Sequence, residues 1–132
     1  MTIRQTSSGF TLIELVIVMT LIVVLAGIGL VAYGNSQTRA REAVLKEDLF
    51  RMRDAIDQYA ADKKHYPGTL ADLVLGRYLR AIPVDPFTNS AGTWQTTISD
   101  INAADFSAQP GVFDVQSGSD RTAMDGSQYA DW

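Results

Sequence analysis

Cysteine is absent from the 132 residues, and histidine occurs once, as His65. The first absence excludes a disulfide framework, a thiolate metal centre and a redox pair, and the second excludes a site built from several histidines of one chain. Basic residues are scarce in the distal part. Beyond Ala81 only Arg121 stands against Asp85, Asp100, Asp105, Asp114, Asp120, Asp125 and Asp131. With a formal net charge of −4, the distal part presents an acidic surface that repels phosphate backbones, so nucleic acid is not expected as a main partner. No glycine-rich phosphate loop follows a strand pattern and no catalytic pair of carboxylates stands out, so no enzyme is expected.

What the chain does have is one long apolar run. From Phe10 to Tyr33 it reads FTLIELVIVMTLIVVLAGIGLVAY, with Glu14 as its single charge. As a helix this run is long enough to cross a hydrocarbon core of about 30 Å. Residues 1–9, MTIRQTSSG, are polar, carry Arg4 and are too short to fold, which fits a leader on a cytoplasmic flank.

After the run, residues 34–65 continue in a helical pattern. Leu45, Leu49, Met52, Ile56 and Tyr59 recur at spacings of four and three and form one apolar stripe. Glu42 before Lys46 and Glu47 before Arg51 stand at the favourable four-residue spacing on what reads as a solvated face. Gly27, Gly29 and Gly34 each cost roughly 1 kcal/mol against alanine inside a helix, so one long helix is expected, weakened there. His65-Tyr66-Pro67-Gly68 ends it, and His65 is expected as a helix C-terminal cap.

Residues 66–132 read as a small head. Thr69 is placed to cap a short helix through Leu75, with Asp72 in its first turn, Gly76 as its stop, and Leu70, Leu73 and Val74 toward the core. Pro83 and Pro86 bracket Val84-Asp85 in a rigid loop. Trp94 to Ile98 and Val112 to Val115 have the composition of short strands, while Asp100 to Gly111 and the tail after Ser117 read as loop. Trp94, Tyr66, Tyr78 and Phe113 are expected in the core of such a domain rather than in an exposed binding patch. The expected fold class is α+β: a long N-terminal helix packed on a small antiparallel sheet with a loop-rich C-terminal region.

Gly9-Phe10-Thr11-Leu12-Ile13-Glu14, after a short leader and before a long apolar run, resembles the class III prepilin signal of type IV pilins and pseudopilins. The resemblance implies cleavage by a membrane prepilin peptidase between Gly9 and Phe10, N-methylation of Phe10 and a helix that becomes the filament core. It also implies a role for Glu14. A carboxylate in a spanning helix costs roughly 2.5–3.5 kcal/mol near the bilayer centre; pairing with the freed amine of Phe10 on a neighbouring subunit would offset that cost and fix the axial register. Two other readings use the same residues. Glu14 near the interface can reach water without a specific role, or Val24-Leu25-Ala26 before Gly27 can serve an ordinary secretory signal.

Tyr66-Pro67, Leu70 to Leu75, Tyr78-Leu79, Pro83-Val84-Asp85-Pro86-Phe87, Val112 to Val115, Asp125-Gly126 and Asp131-Trp132, in that order, resemble the major pseudopilin of type II secretion systems. The lack of cysteine agrees, since many type IV pilins staple their C-terminal loop with a disulfide. The resemblance implies a pilin-like fold anchored once in the bacterial inner membrane, with its head in the periplasm. It implies a subunit that polymerises into a pseudopilus driving protein export across the outer membrane, together with minor pseudopilins and an inner-membrane assembly platform. A surface type IV pilin for adhesion, motility or DNA uptake is the alternative, and a membrane-anchored periplasmic binding module that never polymerises is a second.

In the major pseudopilin the C-terminal loop binds calcium, and the resemblance makes Asp114, Ser117, Asp120, Asp125 and Asp131 the candidate oxygen ligands for an ion that takes about 6–8 of them. Arg121 beside Asp120 departs from such a site. So does the apolar helix, which has Val31 where many family members carry proline; Gly27 and Gly29 stand as alternative points of loosening.

Overall fold

A computed structural model describes residues 9–99 and 109–132. The expected leader residues 1–8, with Arg4, and most of the Asp100 to Gly111 loop, with Asp100 and Asp105, lie outside the described residues. The chain divides into two units, residues 1–37 and 38–132.

Helix α1 (Leu12–Lys63, 52 residues) runs unbroken through Gly27, Gly29 and Gly34. In the first unit its large apolar side chains from Leu12 to Tyr33 are all exposed. In the second unit the predicted stripe is buried: Leu45, Leu49, Met52 and Ile56, joined by Ala55, with Tyr59 packed at its edge. The helix stops as expected before Pro67. Lys64 adopts a φ of 64° and its N–H reaches the Ala60 carbonyl at 2.9 Å, closing the last turn. His65 makes no cap. It is exposed just past the end, with Nδ1 3.0 Å from the Tyr66 carbonyl oxygen and its ring edge-on to Tyr59.

Helix α2 (Leu70–Leu75) matches its predicted bounds, and the Asp72 carboxylate reaches back to the Thr69 N–H at 2.9 Å. Leu70 and Leu73 are buried and Val74 is half-buried. The helix stops at Gly76 as expected, but this glycine does not supply the left-handed turn. Gly76 stays right-handed at φ −77°, and Arg77 takes the left-handed turn at φ 63°. Tyr78 N–H then bonds the Leu73 carbonyl at 2.9 Å and Arg77 N–H that of Val74 at 3.1 Å, the pairing of a Schellman motif. A Cβ at position 76 would meet the Tyr78 ring at 2.8 Å, so glycine there makes room for the ring instead of supplying the turn.

Strands β1 (Gln95–Ile98) and β2 (Val112–Gln116) form a two-stranded antiparallel sheet. Gln95 pairs with Gln116, Thr96 with Val115 and Thr97 with Asp114, and then the register shifts so that Ile98 pairs with Val112. The extra residue is Phe113. Such a bulge breaks the period of two, which explains why Val112 and Val115, three apart, are both buried while Phe113 is exposed. The core joins the α1 stripe to Leu70, Leu73, Trp94, Val112, Val115, Ala123 and Tyr129. Tyr129 opens a short 3-10 turn (Tyr129–Asp131) in which its ring stacks on Phe87.

The aromatics expected in the core divide. Trp94 is buried and its indole N–H donates to the Pro83 carbonyl at 2.8 Å, and Tyr78 is half-buried. Tyr66 and Phe113 face solvent as an edge-to-face pair, because the bulge turns Phe113 outward.

Candidate functional site

Two regions carry the predicted functional residues. The first is the start of α1. Thr11 precedes the helix, and its Oγ1 accepts the Glu14 N–H at 3.3 Å while its carbonyl accepts the Leu15 N–H at 3.2 Å. Thr11 therefore acts as an N-cap and seats Glu14 in the first turn, where the unpaired amides favour a carboxylate. Gly9, Phe10 and Glu14 are all exposed, and a cleavage between Gly9 and Phe10 would fall just before the helix. Downstream, α1 is long and apolar enough to cross a membrane, and no part of its apolar window is buried within the protein. Burying a Leu, Ile, Val or Phe side chain is worth about 1.5–3 kcal/mol. A helix carrying more than a dozen of them uncovered therefore needs lipid or other apolar helices around it.

The second region is the C-terminal segment, which holds the five candidate calcium ligands. Asp114 accepts from Arg53 Nε at 2.7 Å. Ser117 is buried, and its hydroxyl donates to Asp85 Oδ2 at 2.5 Å. Asp120 is exposed beside Arg121. Asp125 Oδ1 accepts from both the backbone N–H and the hydroxyl of Ser127, and those two bonds hold its carboxyl below the usual carboxylate range. Asp131 is exposed in the 3-10 turn. Among the described residues no three Asp, Glu or His side chains gather to hold a metal ion. This arrangement does not fit a cation that needs about 6–8 converging oxygens.

Sequence reasoning missed three residues that organise this region. Asp85 is fully buried: its Oδ1 accepts the N–H groups of Phe87 at 2.8 Å and Thr88 at 3.4 Å, and its Oδ2 takes the Ser117 hydroxyl. Flanking prolines marked the loop, but nothing local revealed a partner 32 positions away. Arg53 also donates from Nη2 to the carbonyl oxygens of Val115 at 2.9 Å and Trp132 at 2.5 Å. Glu42 is not part of a solvated face. Its Oε1 accepts the Met124 N–H at 2.8 Å and the Tyr129 hydroxyl at 2.9 Å. Lys46, expected as its partner, lies 4.4 Å over the Trp132 ring, whereas Glu47 and Arg51 pair at 2.8 Å as predicted. Burial, with the Glu42 carboxylate second, pushes the Tyr129 phenol up to about 12.

Comparison with known proteins bears on both regions. Residues 4–30 match the prokaryotic N-terminal methylation motif, a stretch that includes Gly9, Phe10 and Glu14. The type II secretion system core protein G of Klebsiella pneumoniae is 32% identical over 100 residues, covering 63% of this chain and 71% of the relative. The chain belongs to the core protein G family. The core protein G of Pseudomonas aeruginosa is 29% identical over 102 residues, covering 65% of this chain and 72% of the relative. The fimbrial protein EcpC of Eikenella corrodens is 32% identical over 96 residues, covering 69% of this chain but 60% of the relative. No solved structure matches.

Proposed function

We propose that this chain is the filament-forming subunit of a type II secretion pseudopilus. The observation that carries the reading is the uncovered apolar length of α1, with Glu14 seated in its first turn directly after Gly9-Phe10. Before assembly the helix anchors the chain once in the inner membrane, with residues 66–132 in the periplasm. Prepilin peptidase cuts after Gly9 and the new amine of Phe10 is methylated. On assembly the apolar helices pack against one another, and Glu14 of one copy takes the Phe10 amine of the next. In a low-dielectric core this pairing removes two isolated charges at once and admits only one axial offset between copies.

The work on exported proteins is mechanical. Each added copy lengthens a short filament, in contact with minor pseudopilins and an inner-membrane assembly platform, and the filament pushes folded cargo toward an outer-membrane channel. No bond chemistry is assigned to the subunit. Likeness to the core protein G relatives supports this use of the filament, and likeness to a fimbrial protein supports a second reading, a surface pilus. Disrupting the gene tests the two. Exported proteins held in the periplasm, restored by the wild-type gene, are the expected result; unimpaired export with loss of surface fibres would favour the pilus.

A further inference from the structure

Glu42, Lys46, Leu49 and Arg53 follow one another at spacings of four, three and four, so they share one face of α1. The C-terminal segment lies along that face. Glu42 takes the Met124 amide and the Tyr129 hydroxyl, Lys46 sits over the Trp132 ring, and Leu49 belongs to the core. Arg53 holds the Asp114 carboxylate and the Val115 and Trp132 carbonyl oxygens. Within the segment, the Trp132 indole N–H donates to Ser127 Oγ at 2.7 Å, and that hydroxyl donates to Asp125.

A loop organised by calcium turns its carboxylates and carbonyl oxygens toward one point, where they repel one another until the ion arrives. Here the carbonyl oxygens of Val115 and Trp132 and the carboxylate of Asp114 turn toward Arg53 instead, and Asp125 Oδ1 accepts from Ser127. We infer that Glu42, Lys46 and Arg53 form a protein-only latch that fastens the C-terminal segment to α1 and lets this head fold without calcium. Each of its polar contacts is an ordinary bond to a cation or an acceptor already on the helix, and among the described residues no three acidic side chains gather to recruit an ion. The inference concerns the fold of the head and does not depend on what the filament is used for.

The test is made on the full chain in detergent, by thermal melting and by timed proteolysis mapped along residues 114–132, in calcium or in chelator. The wild type is expected to melt within about 1 °C of the same temperature in both, because only a ligand of the native state raises stability. Glu42→Ala is expected to melt lower and to be cut first between Ser117 and Trp132, and Glu42→Gln, which keeps an acceptor oxygen, to recover most of the loss. Should Glu42→Ala not fold, Tyr129→Phe removes a single latch bond and is expected to speed the same cuts. A saturable rise in melting temperature with calcium that the double variant Asp120→Ala, Asp125→Ala abolishes would overturn the inference. So would unchanged cleavage in both Glu42→Ala and Tyr129→Phe.

Discussion

Asp85, fully buried in the proline-bracketed loop, accepts the hydroxyl of Ser117, which is itself fully buried 32 positions further along the chain. This bond ties the loop after α2 to the end of β2. Replacing Asp85 by alanine would leave the Phe87 and Thr88 amides and the Ser117 hydroxyl without an acceptor in the interior. Losing charge-assisted bonds and stranding their donors costs about 3 kcal/mol. A head of this size would then melt on the order of 15 °C lower. Ser117→Ala takes the donor from Asp85 Oδ2 and the acceptor from the Ser119 N–H but leaves the two amides on Asp85 Oδ1, so it should cost less, about 2 kcal/mol. Thermal melts of the two variants beside the wild type check the ranking.

Tyr129 gives the head an alkaline limit. Its phenol is pushed up to about 12 from an ordinary 10.0 by burial and by Glu42, so the folded state holds that proton more tightly than the unfolded chain does. The stabilisation is therefore complete below pH 10 and is lost as pH rises through about 12. Tyr129→Phe removes the titration along with the bond to Glu42. Denaturant melts across that pH window should show a steeper loss for the wild type than for the variant.

Gly118 follows Ser117 where the chain passes under Thr93, and a Cβ at this position would overlap the Thr93 carbonyl oxygen. The contact is with backbone, which cannot swing aside. Gly118→Ala should therefore destabilise the head by about 1–3 kcal/mol, as overpacking does.

Maturation is open to a direct measurement. Mass spectrometry of the chain from membranes should find an N-terminus at Phe10 carrying one methyl group. An N-terminus at Gly27 would mark a secretory signal instead.

Several elements could be read from the sequence because their causes are local. The stripe from Leu45 to Tyr59 fixed the buried face of α1, Pro67 its end, and the composition of Trp94 to Ile98 and Val112 to Val115 the two strands. What escaped depends on contacts far apart in the chain. Glu42 and Lys46 satisfy the local pairing rule and yet serve the C-terminal segment, 82 positions away in the case of Met124. Phe113 has a strand's composition, but the bulge beside Ile98 decides that it faces outward. Among the acidic C-terminal residues, spacing favoured Asp120 and Asp125 as ion ligands but revealed no protein partners. Their partners set them apart: Arg53 for Asp114 and Ser127 for Asp125. At the other end, Glu14 stood out because a charge inside an apolar run demands compensation, whereas Gly9 and Phe10 were singled out by their resemblance to a prepilin signal, the stretch that matches the N-terminal methylation motif.

That demand leads to the most direct test of polymerisation. Cells expressing wild-type chain or Glu14→Ala with the secretion machinery are sheared, and the filament fraction is sedimented and probed for the subunit. Filaments from the wild type and none from Glu14→Ala, with equal amounts of processed chain in the membrane, is the predicted result. Equal filament yield from Glu14→Ala would contradict the pairing of Glu14 with Phe10, and no filaments from either would contradict the polymer itself.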